Sequence, residues 1–412
     1  MDRFDVSDRI KKYRSLLGIS QGQLANDKLN LNLIKSIEAR RRNLTPLKAS
    51  ILVENLKKIA LSKGISLNIE TSEFLMSNTD YARQYCLKKI DNLYNSYDEI
   101  EYKNLFNIAQ KFDLNDIKIS IYNKIAEHYY NVKDYLLSLS YYEKALNISS
   151  KICKLNSAAF FLFRIGTCYF CLNNLDKSIL YYNECYNLCN KDNIDDPDLK
   201  ARLFYNTAFY YKKTGDNINS LKWLNKSLTL KNNTNEHFNK SLLLKANIFL
   251  GMEKANSALK IYKYLLKADT NYIHIVCHNM AYAYYQLKKQ DKTIELLNKT
   301  ISLQLKSEEF TITLSLMDLG YAYFKNKMYR ESIIFYQYSI DSCLKYSQIE
   351  YFEECFKMLL KLYRLTNDMK SFNKYSLLLI NVYFKNREIQ NQLYGCINIL
   401  IKDILEINLY TN

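Results

Sequence analysis

Two prolines and eight glycines in 412 residues leave this chain little turn-forming material. Those residues supply the special backbone angles of tight turns, so sheet-rich and loop-rich folds need more of both. Their scarcity predicts helices joined by short polar turns. Long apolar runs are also missing. No stretch approaches the roughly 20 apolar residues that cross a bilayer. The first residues, MDRFDVSDRIKKYR, carry charge where a secretory leader would be apolar. A soluble cytoplasmic protein with no membrane partner is expected. The sequence holds no phosphate-cradling glycine loop, no nucleophile elbow and no kinase-like residue set, so neither enzymatic activity nor a cofactor is expected.

What is abundant is apolar and aromatic. Hydrophobic residues make up 48% of the chain, enough for a large core, and there are 37 tyrosines. Between packed helices a tyrosine fills space while its hydroxyl reaches solvent or a partner. The ten cysteines lie mostly among apolar residues in a chain too long to depend on a disulfide framework. That pattern suits free thiols.

A repeat emerges when small residues are aligned with the large ones around them. Tetratricopeptide repeats have a period near 34 residues, with a small residue midway along each helix where the pair crosses closely. The first clear repeat has Ala126, Tyr129, Tyr135, Ser138, Tyr142 and Ala145. The second has Gly166, Tyr169, Leu175, Ser178, Tyr182 and Cys185. The third has Ala208, Tyr211, Gly215, Ser220, Leu224 and Ser227. A weaker fourth has Ala246, Phe249, Ala255, Ala258 and Tyr262. The fifth has Ala281, Tyr284, Thr293, Leu297 and Thr300. The sixth has Gly320, Tyr323, Tyr329, Ser332, Tyr336 and Ser339. A seventh, around Tyr363, Met369 and Tyr375, is degenerate. Residues 79–112 read as an atypical first helix pair, and 380–410 as the terminal pair that covers a solenoid's open face.

Within this frame the thiols and imidazoles read as structural. Cys168 with Cys171, and Cys185 with Cys189, would each share a helical face, so a four-thiolate zinc site is geometrically conceivable. Neither pair lies in a Gly or Pro turn, however, and Cys185 holds a small-residue position of the repeat, which favours buried thiols. His274 and His278, four apart and without a nearby acidic partner, read as polar residues of the inner face. No metal is expected.

The net charge of +16 is concentrated at the N-terminus. Residues 1–65 hold 14 Lys and Arg against 6 Asp and Glu, so half the surplus sits there. A compact basic domain suits a polyanion, most simply DNA. Ser7 can cap a first helix with Ile10, Tyr13, Leu16 and Leu17 on one face, and Gly18 can end it in a left-handed conformation. Ser20 with Gln23 forms a capping box for a second helix. A third carries Ile34, Ile37 and Glu38. Pro46 opens a fourth, with Leu52, Leu56 and Ile59 inward.

The segment IKKYRSLLGISQGQLA…LIKSIEARRRNLTP resembles the helix-turn-helix of the Xre and phage-repressor class through Arg14, Gly18, Ser20-Gln21, Leu24-Ala25 and Ile34 with Ile37-Glu38. It departs from that class in Leu29, Leu31 and Leu33, where small or polar residues are usual. The resemblance implies that Asn30, Asn32, Lys35 and Ser36 face base edges. It implies that Gln21, Arg40, Arg41 and Arg42 grip phosphates.

Helix-turn-helix plus tetratricopeptide repeats resembles the RRNPP family of peptide-sensing transcriptional regulators. Phage lysis–lysogeny peptide receptors share the layout. The resemblance implies a homodimer on a palindromic operator in double-stranded DNA, controlled by a short signalling peptide in the concave face of the repeats. Asparagine side chains can both donate to and accept from an extended peptide backbone. Asn123, Arg164, Asn206, Asn247, Asn279 and Asp318 occupy related places on the first helix of successive repeats, resembling the family's asparagine clamp. Tyr205, Phe209, Tyr282 and Tyr321 are the candidate pocket residues. The alternatives are a scaffold whose repeats hold a folded protein, and a Rap-like regulator of a phosphorelay protein, which would lack the DNA-binding domain. The expected fold is all-α: a helix-turn-helix domain at 1–66, a linker and atypical helix pair at 67–117, a right-handed repeat solenoid at 118–379, and capping helices at 380–412.

Overall fold

The computed structural model describes residues 4–93, 97–231, 234–268, 272–307, 311–346 and 348–385. Among these residues there are twenty-one α-helices and no strand, apart from one isolated bridge between Asn26 and Leu29. The chain forms two compact units, Met1–Leu199 and Lys200–Asn412.

The first unit opens with α1 (Val6–Leu17), α2 (Gln21–Leu24), α3 (Leu31–Glu38), α4 (Pro46–Ser62) and α5 (Thr71–Leu75). The starts and stops follow local chemistry. Asp5, not Ser7, caps α1: its carboxylate accepts from the Asp8 N–H, while Ser7 lies buried inside the helix. Asp5 has the extended backbone that a cap requires, and Ser7 already has helical angles. Gly18 closes α1 at φ +60°. The Ser20–Gln23 capping box is complete. Thr45 caps α4, with Pro46 at its first position. Ile10, Leu17, Leu24, Leu29, Ile34, Leu52 and Leu56 form the shared core. Leu16, expected on the inward face, is exposed instead. Ile69 and Phe74, from the stretch read as a linker, are buried in the same core.

Helix pairs follow: α6 (Asn78–Asn92) with α7 (Glu99–Lys111), α8 (Asn115–Asn131) with α9 (Tyr135–Lys151), and α10 (Leu155–Cys171) with α11 (Leu175–Lys191). Helix α12 (Pro197–Lys213) begins in the first unit and continues into the second. There it is followed by α13 (Asn217–Leu228), α14 (Asn235–Gly251), α15 (Ala255–Leu265), α16 (Ile273–Gln286), α17 (Gln290–Ser307), α18 (Ile312–Lys325), α19 (Tyr329–Tyr346), α20 (Ile349–Leu365) and α21 (Met369–Lys385). Of the expected capping helices, residues 380–385 belong to α21, and 386–412 lie outside the described residues.

One device recurs inside the pairs. The small residue of the leading helix is fully buried, and its carbonyl accepts a hydroxyl from the residue twelve positions later. Ser138 donates to Ala126 (2.9 Å), Ser220 to Ala208 (2.6 Å), Ser332 to Gly320 (2.8 Å) and Thr293 to Ala281 (3.4 Å). Each such bond contributes about 1 kcal/mol net and pins the crossing point. Four residues after the hydroxyl, a ring or a leucine covers the small residue. Tyr142, Tyr182 and Leu224 are essentially inaccessible there; in the fourth repeat Ala258 stands where the hydroxyl would be, and Tyr262 is buried all the same.

The scarcity of glycine is met in an unexpected way. The turns do use left-handed backbone, but mostly on other residues: Asp113, Lys133, Cys153, Asn173, Asn193, Glu253, Lys288, Lys327 and Asn367 all have positive φ, and among the described residues of the repeats only Gly215 uses glycine in this role. An L residue costs roughly 1–2 kcal/mol there. The i+3 and i+5 backbone bonds of each turn offset that cost; Lys133 N–H, for example, reaches Tyr130 O, and Asp134 N–H reaches Tyr129 O.

Candidate functional site

In the first unit, Asn30, Asn32 and Lys35 stand exposed along the start of α3, with Ser36 partly covered. Asn30 is also the helix cap, its carbonyl oxygen accepting from Leu33 N–H at 2.8 Å. Of Leu29, Leu31 and Leu33, two are accounted for by packing. Leu29 is buried in the core and Leu33 packs against it.

Two of the expected phosphate-gripping residues have partners inside the protein. Arg14 makes a two-pronged pair with Glu38 (2.7 and 2.9 Å), and the Gln21 amide donates to the same carboxylate at 2.7 Å. Gln21 therefore helps lock α2 onto α3. Arg40 pairs with Asp5 at 2.5 Å and Asp8 at 3.0 Å, tying the end of α3 to the start of α1. Arg41 and Arg42 are exposed, with no carboxylate partner among the described residues.

Arg9 was not singled out by sequence, because a lone arginine in a basic segment gives no sign of burial. It is 1% exposed. Its guanidinium donates to the carbonyls of Phe4, Glu73, Met76 and Ser77 and to the Asn78 side chain, with the Tyr81 ring 4.2 Å away.

Of the inner-face residues in the first unit, Asn123 donates to Glu127 on its own helix at 3.1 Å. Arg164 donates to the Tyr142 hydroxyl at 2.8 Å and lies over the rings of Tyr130 and Tyr142. Burial pushes the Tyr142 phenol up to about 12, with Arg164 acting in the other direction.

In the second unit, Asn206, Asn247, Asn279 and Asp318 lie on the leading helices α12, α14, α16 and α18. Asn279 donates to Asn247 at 2.9 Å, linking α16 to α14. The same Asn247 oxygen accepts the Tyr262 hydroxyl at 2.6 Å. Tyr205 and Phe209 stack on each other, with ring centres 6.5 Å apart.

Next along, a cavity of about 360 Å³ opens between α16, α18 and α20. Tyr282, Tyr321 and Asp318 line it, as does His278. His278 has no acidic neighbour nearby in the sequence. In the structure, its Nε2 lies 2.8 Å from Asp318 Oδ2, though out of line for a hydrogen bond. The two are 40 positions apart and meet because successive leading helices lie side by side. Tyr285, Glu354 and Met358 also line it, and nothing in the repeat pattern marks them. Lys325, beside Tyr321, and the Tyr285 hydroxyl hold the Tyr321 phenol below its ordinary value.

The thiols pair with backbone and hydroxyls. Cys185 donates to Ala159 O at 3.2 Å, and Cys168 lies 3.5 Å from the Ser138 hydroxyl. Burial pushes Cys168 up to about 11. Among the described residues no cluster of three metal-ligating side chains occurs, and no helix is long and apolar enough to cross a membrane.

A tetratricopeptide repeat family profile matches residues 118–191, which span α8 to α11. The fold is an all-α tetratricopeptide-type solenoid. No curated protein sequence matches the chain. The solved structure of a signal transduction ATPase with numerous domains and a tetratricopeptide repeat sensor, from Pyrococcus horikoshii, is similar in fold. It has a TM-score of 0.56 and 14% identity, and the match covers 93% of this chain and 59% of that one. This chain thus spans less than two thirds of that protein. The apo quorum sensor NprR from B. thuringiensis matches with a TM-score of 0.48 and 13% identity, over 73% of this chain and 99% of that one. Aspartyl phosphate phosphatase F from Bacillus subtilis matches with a TM-score of 0.49 and 12% identity, over 83% and 94%.

Proposed function

We propose that the chain is a DNA-binding transcriptional regulator of quorum-sensing type whose grip on its operator is set by a short peptide bound along the leading helices of the repeats. The observation that carries the reading is the Asn247–Asn279 bond, which bridges two leading helices in the second unit, Asn279 being the residue after His278 of the aromatic cavity. Asparagine amides beside a cavity offer backbone recognition and a side-chain pocket together, as an extended peptide requires. The exposed Asn32, Lys35, Arg41 and Arg42 support a nucleic-acid surface on the N-terminal bundle. Gln21 and Arg40 contribute to that surface by bracing it. The peptide acts by binding one conformation of a homodimer more tightly than another, and two copies of α3 address half-sites one DNA turn apart, about 34 Å, or a multiple of it.

A mobility-shift titration on the DNA upstream of the protein's own gene tests this. A specific shift is expected, with Arg41→Ala and Arg42→Ala each lowering the salt slope by about 1. No specific shift, with or without peptide, would sink the regulator reading and leave a protein-binding scaffold.

A further inference from the structure

We infer that the cavity between α16, α18 and α20 selects a cationic group of the bound peptide, a lysine or arginine side chain or a free amino terminus. The inference rests on the peptide-receptor reading above and adds the chemistry of one subsite. Two carboxylates, Asp318 and Glu354, are at the cavity wall, and three tyrosine rings, Tyr282, Tyr285 and Tyr321, stand around them. Their joint negative field is felt at Tyr336 on the floor. There burial is the chief cause that raises the phenol, and both carboxylates push it the same way.

The ring faces attract a cation, and the attraction grows as water is excluded. The apolar floor of Leu297, Met317 and Ala322 suits an alkyl stem. His278 Nε2 lies 2.8 Å from one oxygen of Asp318, so a ligand cation would share that carboxylate with an imidazole and not with a lysine or arginine. The protein already places one cation on this aromatic set from outside the cavity: Lys325 Nζ lies 5.2 Å from the centre of the Tyr321 ring. An acidic group entering here would face two carboxylates, and the lining holds no lysine or arginine, only the imidazole of His278 beside Asp318.

The test uses immobilised full-length protein and hexapeptide libraries in which one position at a time is fixed, made with free and with acetylated amino termini. Retained peptides are read by mass spectrometry. Lys or Arg should be enriched about tenfold at one position, the gain expected of a partly desolvated cation. If the terminal amine is the source, acetylation abolishes retention and no side-chain preference is seen. Either preference should flatten in the Asp318→Asn/Glu354→Gln double variant, whose isosteric side chains keep the wall in place. Asn279→Ala should weaken capture overall and leave the preference intact. Capture of peptides with neither preference overturns the cationic subsite while the peptide-receptor reading stands. No capture from any library overturns both.

Discussion

Replacing Asn247 by alanine separates what this residue does for the fold from what it does for a ligand. Its side-chain oxygen accepts two hydrogen bonds, from Tyr262 Oη at 2.6 Å and from Asn279 Nδ2 at 2.9 Å. The two donors differ in their surroundings. Tyr262 is wholly inaccessible, and burial raises its phenol, so it remains a donor at any ordinary pH. Asn279 is half-buried and can turn to water. Leaving the Tyr262 hydroxyl unpaired costs about 1–3 kcal/mol, whereas the exposed-side bond is worth at most about 1 kcal/mol. Asn247→Ala should therefore destabilise by about 2–3 kcal/mol, and Asn279→Ala by less than about 1 kcal/mol. Tyr262→Phe removes the orphan, so Asn247→Ala made in that background should cost under about 1 kcal/mol. The coupling of about 1–2 kcal/mol is readable in a double-mutant cycle. Urea unfolding followed by far-ultraviolet circular dichroism gives the global value. Hydrogen exchange in α14 and α15 gives the local one, which matters because stacked repeats can unfold in parts. Strict additivity of the two substitutions would refute the shared-bond account. It would also show that the Asn247 oxygen is not committed to Tyr262.

Three further outcomes follow from the packing and the caps. A Cβ on Gly166 would meet the Tyr182 ring at 2.7 Å, whereas nothing lies within 4 Å of one on Gly251. Gly166→Ala should thus destabilise by about 1–2 kcal/mol after the helix-propensity gain is subtracted, and Gly251→Ala should stabilise by up to about 1 kcal/mol; equal thermal shifts would contradict this. Arg9→Met leaves four carbonyls short of a donor and should cost about 3 kcal/mol or more, seen as early loss of exchange protection in α1 and α5; full protection would count against the clamp. Asp216 and Asp368 cap α13 and α21, and hydrogen bonds from the backbone of Asn219 and Ser371 hold their carboxyls below the ordinary 3.8. A depressed folded-state value means that their contribution is complete above 3.8 and is lost as the pH falls from there through the lower folded-state value. The Asp216→Asn/Asp368→Asn variant keeps the caps, so its acid unfolding limb should be shallower; an unchanged limb would show that the carboxylates contribute nothing.

The fold was legible because its rule is local. A small residue, a hydroxyl twelve positions on and a ring four beyond that can be read straight from the chain, and Ala126, Ser138 and Tyr142 meet as that spacing implies. The candidate site was less legible because it depends on neighbours across repeats whose spacing varies. The small residues step by 35 between Ala246 and Ala281 and by 39 between Ala281 and Gly320, so lateral partners such as His278 and Asp318 do not line up in a linear alignment. Side-chain commitment was also hidden. Gln21, Arg40 and Arg164 look like surface donors in the sequence, and each has a partner inside its unit. The turns concealed their left-handed backbone by using residues such as Glu253 and Cys153 in place of glycine.

The buried Arg9 has a mechanical meaning for the first unit. Its guanidinium fastens α1 to the strand-free turn between α5 and α6, while Phe4, one residue before the α1 cap, packs among Tyr81, Tyr85 and Phe112 of the first helix pair. The basic bundle is thus bolted to α6 at two points instead of hanging from a tether. A rotation of α6 would be delivered to Asn32 and Lys35 as through a crank, with little slack to absorb it.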